Sequence, residues 1–282
     1  MVEITQRLDP SEADVADVMI SCRSVIKVYG TSTRRVQALR GIDLTVQRGT
    51  TVALVGPSGS GKSSLLRIVA GLDQPTAGSV EIDGVDLTTL GDRRRRAIRR
   101  RLVSHVYQRP EDNLVVHLTA LQQVERVAVR RGMHPSAAAA MLDQVGLSSR
   151  RHHRPSGLSG GERQRLAFAR AAVGSPSLII ADEPTAELDS ASTRSVLDSI
   201  TALTEAGITI LIGTHDEQVL SRMSSVITMR DGTISSISDN DGEFAVVDEA
   251  GRIQIPAELL PQFADGRARI ETTSNTLTVQ PP

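Results

Sequence analysis

Thr51-Val52-Ala53-Leu54-Val55 runs without a break into Gly56-Pro57-Ser58-Gly59-Ser60-Gly61-Lys62-Ser63, and this junction decides the fold. The first stretch is apolar and β-branched, suited to a buried parallel strand. The second matches G-x-x-x-x-G-K-[ST], a loop that wraps nucleotide phosphates. Its glycines let the backbone turn tightly and aim successive N–H groups at phosphate oxygens. Ser64-Leu65-Leu66-Arg67-Ile68-Val69-Ala70 continues as a helix whose positive N-terminal end faces the same phosphates. Lys62 supplies a mobile ammonium for the β- and γ-phosphates, and Ser63 supplies a hydroxyl to Mg²⁺. The chain has only two lysines, Lys27 and Lys62, and uses arginine almost everywhere else. A lysine at this position is therefore no random surface cation.

About a hundred residues downstream stands Leu158-Ser159-Gly160-Gly161-Glu162. After it, Leu178-Ile179-Ile180-Ala181-Asp182-Glu183 sets two carboxylates at the end of an apolar strand, where open α/β sheets bind ligands. Adjacent acids repel there unless a cation neutralises one. Mg²⁺ held through Asp182 does so, leaving Glu183 to orient or deprotonate an attacking water.

Together these stretches resemble the ATP-binding-cassette (ABC) family of ATPases. The resemblance implies an α/β fold of the P-loop NTPase type, a mixed-sheet core with antiparallel β and helical subdomains. It implies ATP and Mg²⁺ as cofactors, with Gly56 to Ser64 around the nucleotide and Ser63, Gln108 and Asp182 toward the metal. Ser159, Gly160, Gly161 and Glu162 are then expected to close over ATP held by a second copy. Gln108 matches a glutamine that reaches Mg²⁺ and the water, on a loop that meets a transmembrane partner. His215, in Ile212-Gly213-Thr214-His215-Asp216, matches a histidine touching the γ-phosphate. Asp189 resembles an acidic loop that crosses the dimer interface. Tyr29 corresponds to an aromatic that stacks on adenine, core packing being its other reading.

The resemblance spans about Val18 to Ile234. Ala38-Leu39-Arg40-Gly41-Ile42, His117-Leu118-Thr119-Ala120 and Arg154 to Arg165 resemble bacterial cassettes serving lipoprotein release, macrolide export and cell-division signalling. Two stretches depart from them. Ala186-Glu187-Leu188-Asp189 replaces the usual Gly-Asn/Ala-Leu-Asp, and Arg109-Pro110-Glu111-Asp112-Asn113 is more polar than usual.

Composition narrows the remaining classes. With 39% hydrophobic and 23% charged residues among 282, the chain has the make-up of an ordinary globular protein. Its net charge of -1 gives no electrostatic case for nucleic-acid binding. No apolar run approaches the ~18 residues that cross a bilayer, and Met1 to Arg7 lack the apolar core of a signal peptide. A cytoplasmic location is expected, peripheral on the membrane through a permease partner. The single cysteine, Cys22, excludes an internal disulfide and any cysteine-cluster metal site.

Residues 1–18 read as a flexible leader, 19–236 as the ATPase domain with a helical subdomain at about 92–160, and 243–282 as a small β-rich extension. Strands are expected at Ser24–Tyr29, Gly41–Val46, Ser79–Ile82, Leu102–Tyr107, Leu178–Ala181, Ile208–Ile212 and Val226–Met229. Helices are expected at Glu162–Val173 and Ala191–Thr204. The run Arg93 to Arg101, seven arginines in nine residues, is either a solvated helix face or an anionic contact such as lipid headgroups. His152 and His153 read as surface residues. The tail from Phe244 resembles the swapped-hairpin module of transition-state regulators, with strands at Ala268–Thr272 and Thr276–Val279. It carries three arginines against five acids, which argues against DNA binding and for a dimerising or regulatory cap.

The function expected is the ATP-hydrolysing subunit of a membrane ABC complex, dimerising around two ATP to drive transport or mechanical signalling through a permease. The alternative is a soluble ABC-type ATPase acting on DNA or ribosomes. Long coiled coils between loop and signature, or two cassettes in one chain, would mark that class, and this chain has neither.

Overall fold

The computed structural model describes residues 2–5, 17–30, 35–239, 242–246, 255, 260–263, 268–273 and 276–280. A short strand β1 (Val2–Thr5) precedes the long strands β2 (Val18–Gly30) and β3 (Arg35–Gln47). Next come β4 (Thr51–Val55), α1 (Lys62–Val69), β5 (Ala77–Ile82) and β6 (Val85–Asp86). Helix α2 (Asp92–Leu102) leads into β7 (Val103–Val106), then α3 (Ala120–Arg130) and α4 (Ala137–Gln144). The second half holds α5 (Gly160–Ala172), β8 (Leu178–Asp182), α6 (Ser190–Glu205), β9 (Thr209–Gly213) and α7 (Glu217–Leu220). It closes with β10 (Ser225–Arg230), β11 (Thr233–Asp239), β12 (Gly242–Ala245), β13 (Arg269–Thr273) and β14 (Thr276–Gln280).

The main sheet has seven strands in the order β12-β11-β10-β4-β9-β8-β7. Strands β10, β4, β9, β8 and β7 run parallel, while β11 and β12 are antiparallel additions at one edge. The sheet is therefore mixed. A four-stranded antiparallel sheet, β3-β2-β5-β6, forms the second β layer.

Alternation along the parallel strands separates two cores. Ile179, Ala181, Ile210 and Ile212 point into a cluster with Val124, Leu142, Leu166 and Phe168 of α3, α4 and α5. Leu178, Ile180 and Leu211 point the other way, into a cluster with Leu65, Leu66 and Ile68 of α1 and with Ile20, Val25 and Ile42 of the antiparallel sheet. Burial on both faces is why these strands read as unbroken apolar runs.

Two expectations at the ends need correction. Val2–Thr5, expected as part of a loose leader, instead pairs with β14 in a three-stranded sheet. Gly242–Ala245 pairs with β11, so the first residues of the expected extension belong to the edge of the main sheet. The tail strands fall within a residue of expectation and pair with each other. Most of the connecting stretch 247–259, and residues 6–16, lie outside the described residues.

Candidate nucleotide site

Strand β4 delivers the loop at its C-terminal end, and α1 leaves it. Gly56 (φ 144°) lies so near β10 that a Cβ there would stand 2.1 Å from the Met229 carbonyl oxygen. Gly61 (φ 102°) is pressed on Ala38, whose carbonyl oxygen would be 2.6 Å from its Cβ. These two positions admit only glycine. The turn after β10 braces the loop further, since Gly232 N–H donates to the Ser60 carbonyl at 3.1 Å. Lys62 Nζ folds back and donates to the carbonyls of Gly56 (2.5 Å) and Pro57 (3.1 Å). The ammonium is thus stored against the loop it is expected to serve. Ser63 is exposed, and the Ser60 hydroxyl is buried without a partner.

Strands β8 and β9 bring the acids and the histidine to the same edge. Asp182 is half-buried, and a Cβ on Gly213 would lie 3.2 Å from its Oδ1. Burial, then repulsion from Glu183, raises the Asp182 pKa, and Lys62 opposes the shift. That coupling places Lys62 and Asp182 in one electrostatic site. Glu183 takes a left-handed backbone (φ 45°) and donates its N–H to the Gly213 carbonyl at 2.7 Å. Its Oε1 lies 2.8 Å from Nδ1 of His215, and its Oε2 is buried without a partner. The sequence reading missed the brace behind this pair. Thr185 Oγ1 donates to Asp216 Oδ2 at 3.0 Å, tying the turn after Glu183 to the turn after His215. Asp216 also caps α7 by accepting from Gln218 N–H, and a cap position was the signal available.

Gln108 is exposed on the loop after β7. Asn113 clamps that loop, accepting from Tyr107 N–H at 2.9 Å and donating to the His105 carbonyl at 3.1 Å. Glu111 lies 3.2 Å from Arg163 Nε, which links the Gln108 loop to α5. The polar stretch Arg109 to Asn113 therefore anchors the loop. Tyr29 is exposed, which excludes core packing. Its hydroxyl donates to Asp73 at 3.0 Å, and Lys27 Nζ stands 4.8 Å over its ring.

The signature lies apart. Ser159 caps α5 reciprocally: its Oγ accepts from Glu162 N–H, and Glu162 accepts from Ser159 N–H at 2.8 Å. The Ser159 N–H and Arg150 hold the Glu162 carboxyl below its ordinary range. Gly160 and Gly161 pack on Leu188 and Ser192, where Cβ atoms would approach to 3.2 and 2.8 Å. Asp189 caps α6 through Ala191 and Ser192 N–H. Ser159 to Glu162 and Asp189 thus form one surface. None of their hydrogen bonds among the described residues goes to the Gly56–Ser63 loop.

No three His, Cys, Asp or Glu side chains among the described residues cluster to hold a metal alone. The two adjacent acids, the Glu183 oxygen without a partner and the Ser63 hydroxyl still fit a divalent cation that shares its ligands with bound phosphates.

Comparison with known proteins follows the same lines. The family model described as ABC transporter matches residues 39–186. The lipoprotein-releasing system ATP-binding protein LolD of Ruegeria pomeroyi is 45% identical over 208 residues, 72% of this chain and 90% of that protein. The macrolide export ATP-binding/permease protein MacB of Hyphomonas neptunium is 41% identical over 236 residues. That match takes in 82% of this chain, which spans only 36% of the relative's length. The dimeric post-hydrolysis structure of the cassette MJ0796, bound to ADP and Pi, superposes with a TM-score of 0.70 at 34% identity. It covers 78% of this chain and 98% of that one.

Proposed function

Since the chain belongs to the ABC transporter family, we propose that it is the ATP-hydrolysing subunit of a membrane complex, closing as a dimer around two ATP. The observation that carries this reading is the convergence of Lys62, Asp182, Glu183 and His215 at one sheet edge, while the Ser159 signature makes no hydrogen bond to the Gly56–Ser63 loop among the described residues. Half of a nucleotide site is present in two separate places. A second copy completes both.

In this reading Lys62 leaves the Gly56 and Pro57 carbonyls for the β- and γ-phosphates, and the loop N–H groups and α1 take the rest of the phosphate charge. Ser63, Asp182 and Gln108 would hold Mg²⁺, which supplies charge neutralisation between the phosphates. Glu183 orients or deprotonates the attacking water, and His215 fixes its carboxylate from Nδ1. Tyr29 offers an exposed ring for adenine. Ser159 and the N–H groups of Gly160 and Gly161 meet the γ-phosphate of the partner subunit's ATP, with Asp189 beside them.

No described helix is long and apolar enough to cross a membrane. We place the membrane link in a permease partner that docks beside the Gln108 loop, and the location on the inner face of the membrane follows from it. Relatives named for lipoprotein release and macrolide export support transport or mechanical work on envelope components.

Lys62→Ala tests the site. The ammonium makes charge-assisted bonds worth roughly 1.5–3 kcal/mol each. The variant is expected to keep its circular-dichroism spectrum and lose Mg²⁺-dependent ATPase activity. Unchanged turnover would remove the loop from the reaction.

A further inference from the structure

Helix α5 opens with a carboxylate at the end where a phosphate is expected to arrive. Glu162 stands in the first turn, its side chain 16% exposed, and both of its oxygens are occupied. Oε2 accepts from Ser159 N–H at 2.8 Å, and Oε1 accepts from Arg150 Nε at 2.9 Å. The Ser159 N–H, opposed by partial burial and reinforced by Arg150 and Arg165, holds the carboxyl below its ordinary range, so it is charged at neutral pH. Ser159 Oγ accepts from Glu162 N–H, which leaves its own proton to donate. The N–H groups of Gly160 and Gly161 donate to nothing among the described residues. Three donors are thus available at the helix end, beside one full negative charge.

That charge works against the donors. The positive end of a helix attracts anions, but a carboxylate in its first turn takes up the attraction and repels a second anion. The cap does not need the charge, since glutamine completes the same box. Among the described residues, Arg150 is the one guanidinium bonded to Glu162. Arg165 also acts on Glu162 but places its Nη1 on the Val145 and Gly146 carbonyls. Arg150 is braced from the opposite side. It ends the short turn Ser148–Arg150, and the chain after it is tied to the start of α3. There the N–H groups of Ala120 and Leu121 donate to the His153 and Arg151 carbonyls at 2.8 and 2.9 Å. As a half-exposed ion pair, Arg150 and Glu162 add little to stability. Their effect is on the charge presented at the helix end.

We propose that Arg150 is a positioning residue for the signature: its guanidinium holds and neutralises the Glu162 carboxylate, so that the α5 N-terminus stays attractive to the γ-phosphate of ATP bound by a second copy. The proposal rests on the dimer reading above and adds a residue that acts through Glu162 without touching the nucleotide.

The test uses the full chain carrying Glu183→Gln, in which ATP-bound dimers should accumulate, and follows dimerisation against ATP by light scattering. Arg150→Gln is expected to weaken ATP-driven pairing by about tenfold or more, because an unmasked carboxylate then faces a phosphate. Filter binding of ATP to the monomer should be unchanged, since Arg150 serves the other subunit's nucleotide. Adding Glu162→Gln, which keeps the cap and removes the charge, should recover most of the lost pairing. A merely structural defect would not be rescued in this way. Arg150→Lys keeps the charge and is expected to lose far less than Arg150→Gln, with circular dichroism checking the fold of each variant. Undiminished pairing of Arg150→Gln overturns the inference alone and leaves the dimer standing. A loss that Glu162→Gln fails to rescue also overturns it, assigning Arg150 to direct phosphate contact or to folding. Equal losses for the lysine and glutamine variants do the same. If the Glu183→Gln parent stays monomeric with ATP, the dimer reading falls and this inference with it.

Discussion

Glu183 holds a left-handed backbone, φ 45°, which residues with a side chain rarely adopt. The cost is met by its N–H bond to Gly213 and by the His215 contact, and the result is a carboxylate aimed off the strand end. Glu183→Gln keeps size and most hydrogen bonding while removing the base. Hydrolysis is expected to fall about 10²–10⁴-fold with ATP binding retained, as single-turnover and filter-binding assays would show; normal turnover would place water activation elsewhere. The loop is equally exacting at Gly56. A Cβ 2.1 Å from the Met229 carbonyl oxygen must push the loop off β10. Gly56→Ala is expected to weaken binding of a fluorescent ATP analogue by roughly tenfold or more, since about 1.4 kcal/mol corresponds to tenfold, with the fold retained. Unaltered affinity would mean the loop tolerates displacement. Residue identities around the nucleotide were legible in the sequence because the chemistry demands fixed types at fixed spacings. The braces behind them, Thr185 to Asp216 and Gly232 to Ser60, were not, because each joins segments distant in the chain through a single polar contact.

Among the elements, the buried parallel strands were legible because both faces meet apolar layers, so their sequences are continuous and apolar. Strand β11 was not, since Thr233-Ile234-Ser235-Ser236-Ile237-Ser238-Asp239 is polar and its small serines are buried by neighbours. Helix α2 presented only its charge. Its buried residue is Leu102, which leads into β7, where the rings of His105 and Tyr107 meet at a tilt of 49° with centroids 4.5 Å apart. Burial, then Arg67 and Arg99, lowers the His105 pKa from 6.5 to about 4. The unfolded chain therefore takes up this proton before the folded one, and stability falls as pH drops from about 6.5 to about 4. Urea melts at pH 7 and pH 5 are expected to show that loss above the usual carboxylate range. His105→Gln should reduce it, and an unchanged pH slope in that variant would assign the loss to other groups.

At the scale of the whole molecule, the fold keeps two half-sites apart. The loop, Asp182, Glu183 and His215 share one sheet edge, while Ser159 and Asp189 cap the N-termini of α5 and α6. ATP adds negative charge where donors of a second copy are needed, and ADP lacks the γ-phosphate those donors hold. The dimer is thus expected to close on ATP and loosen after hydrolysis. Glu111 and Arg163 link the Gln108 loop to α5, giving closure a route to a partner docked beside that loop. Mixing Lys62→Ala with Ser159→Arg tests this account most directly. Each variant alone is expected to be inactive, but one mixed dimer puts both lesions in the same composite site and leaves the other intact. ATP-dependent dimerisation, read by light scattering, and hydrolysis should then reappear in the mixture at that one site. If the mixture stays monomeric and inactive, or if Ser159→Arg abolishes nucleotide binding within an isolated monomer, the signature does not act across a dimer and the account is contradicted.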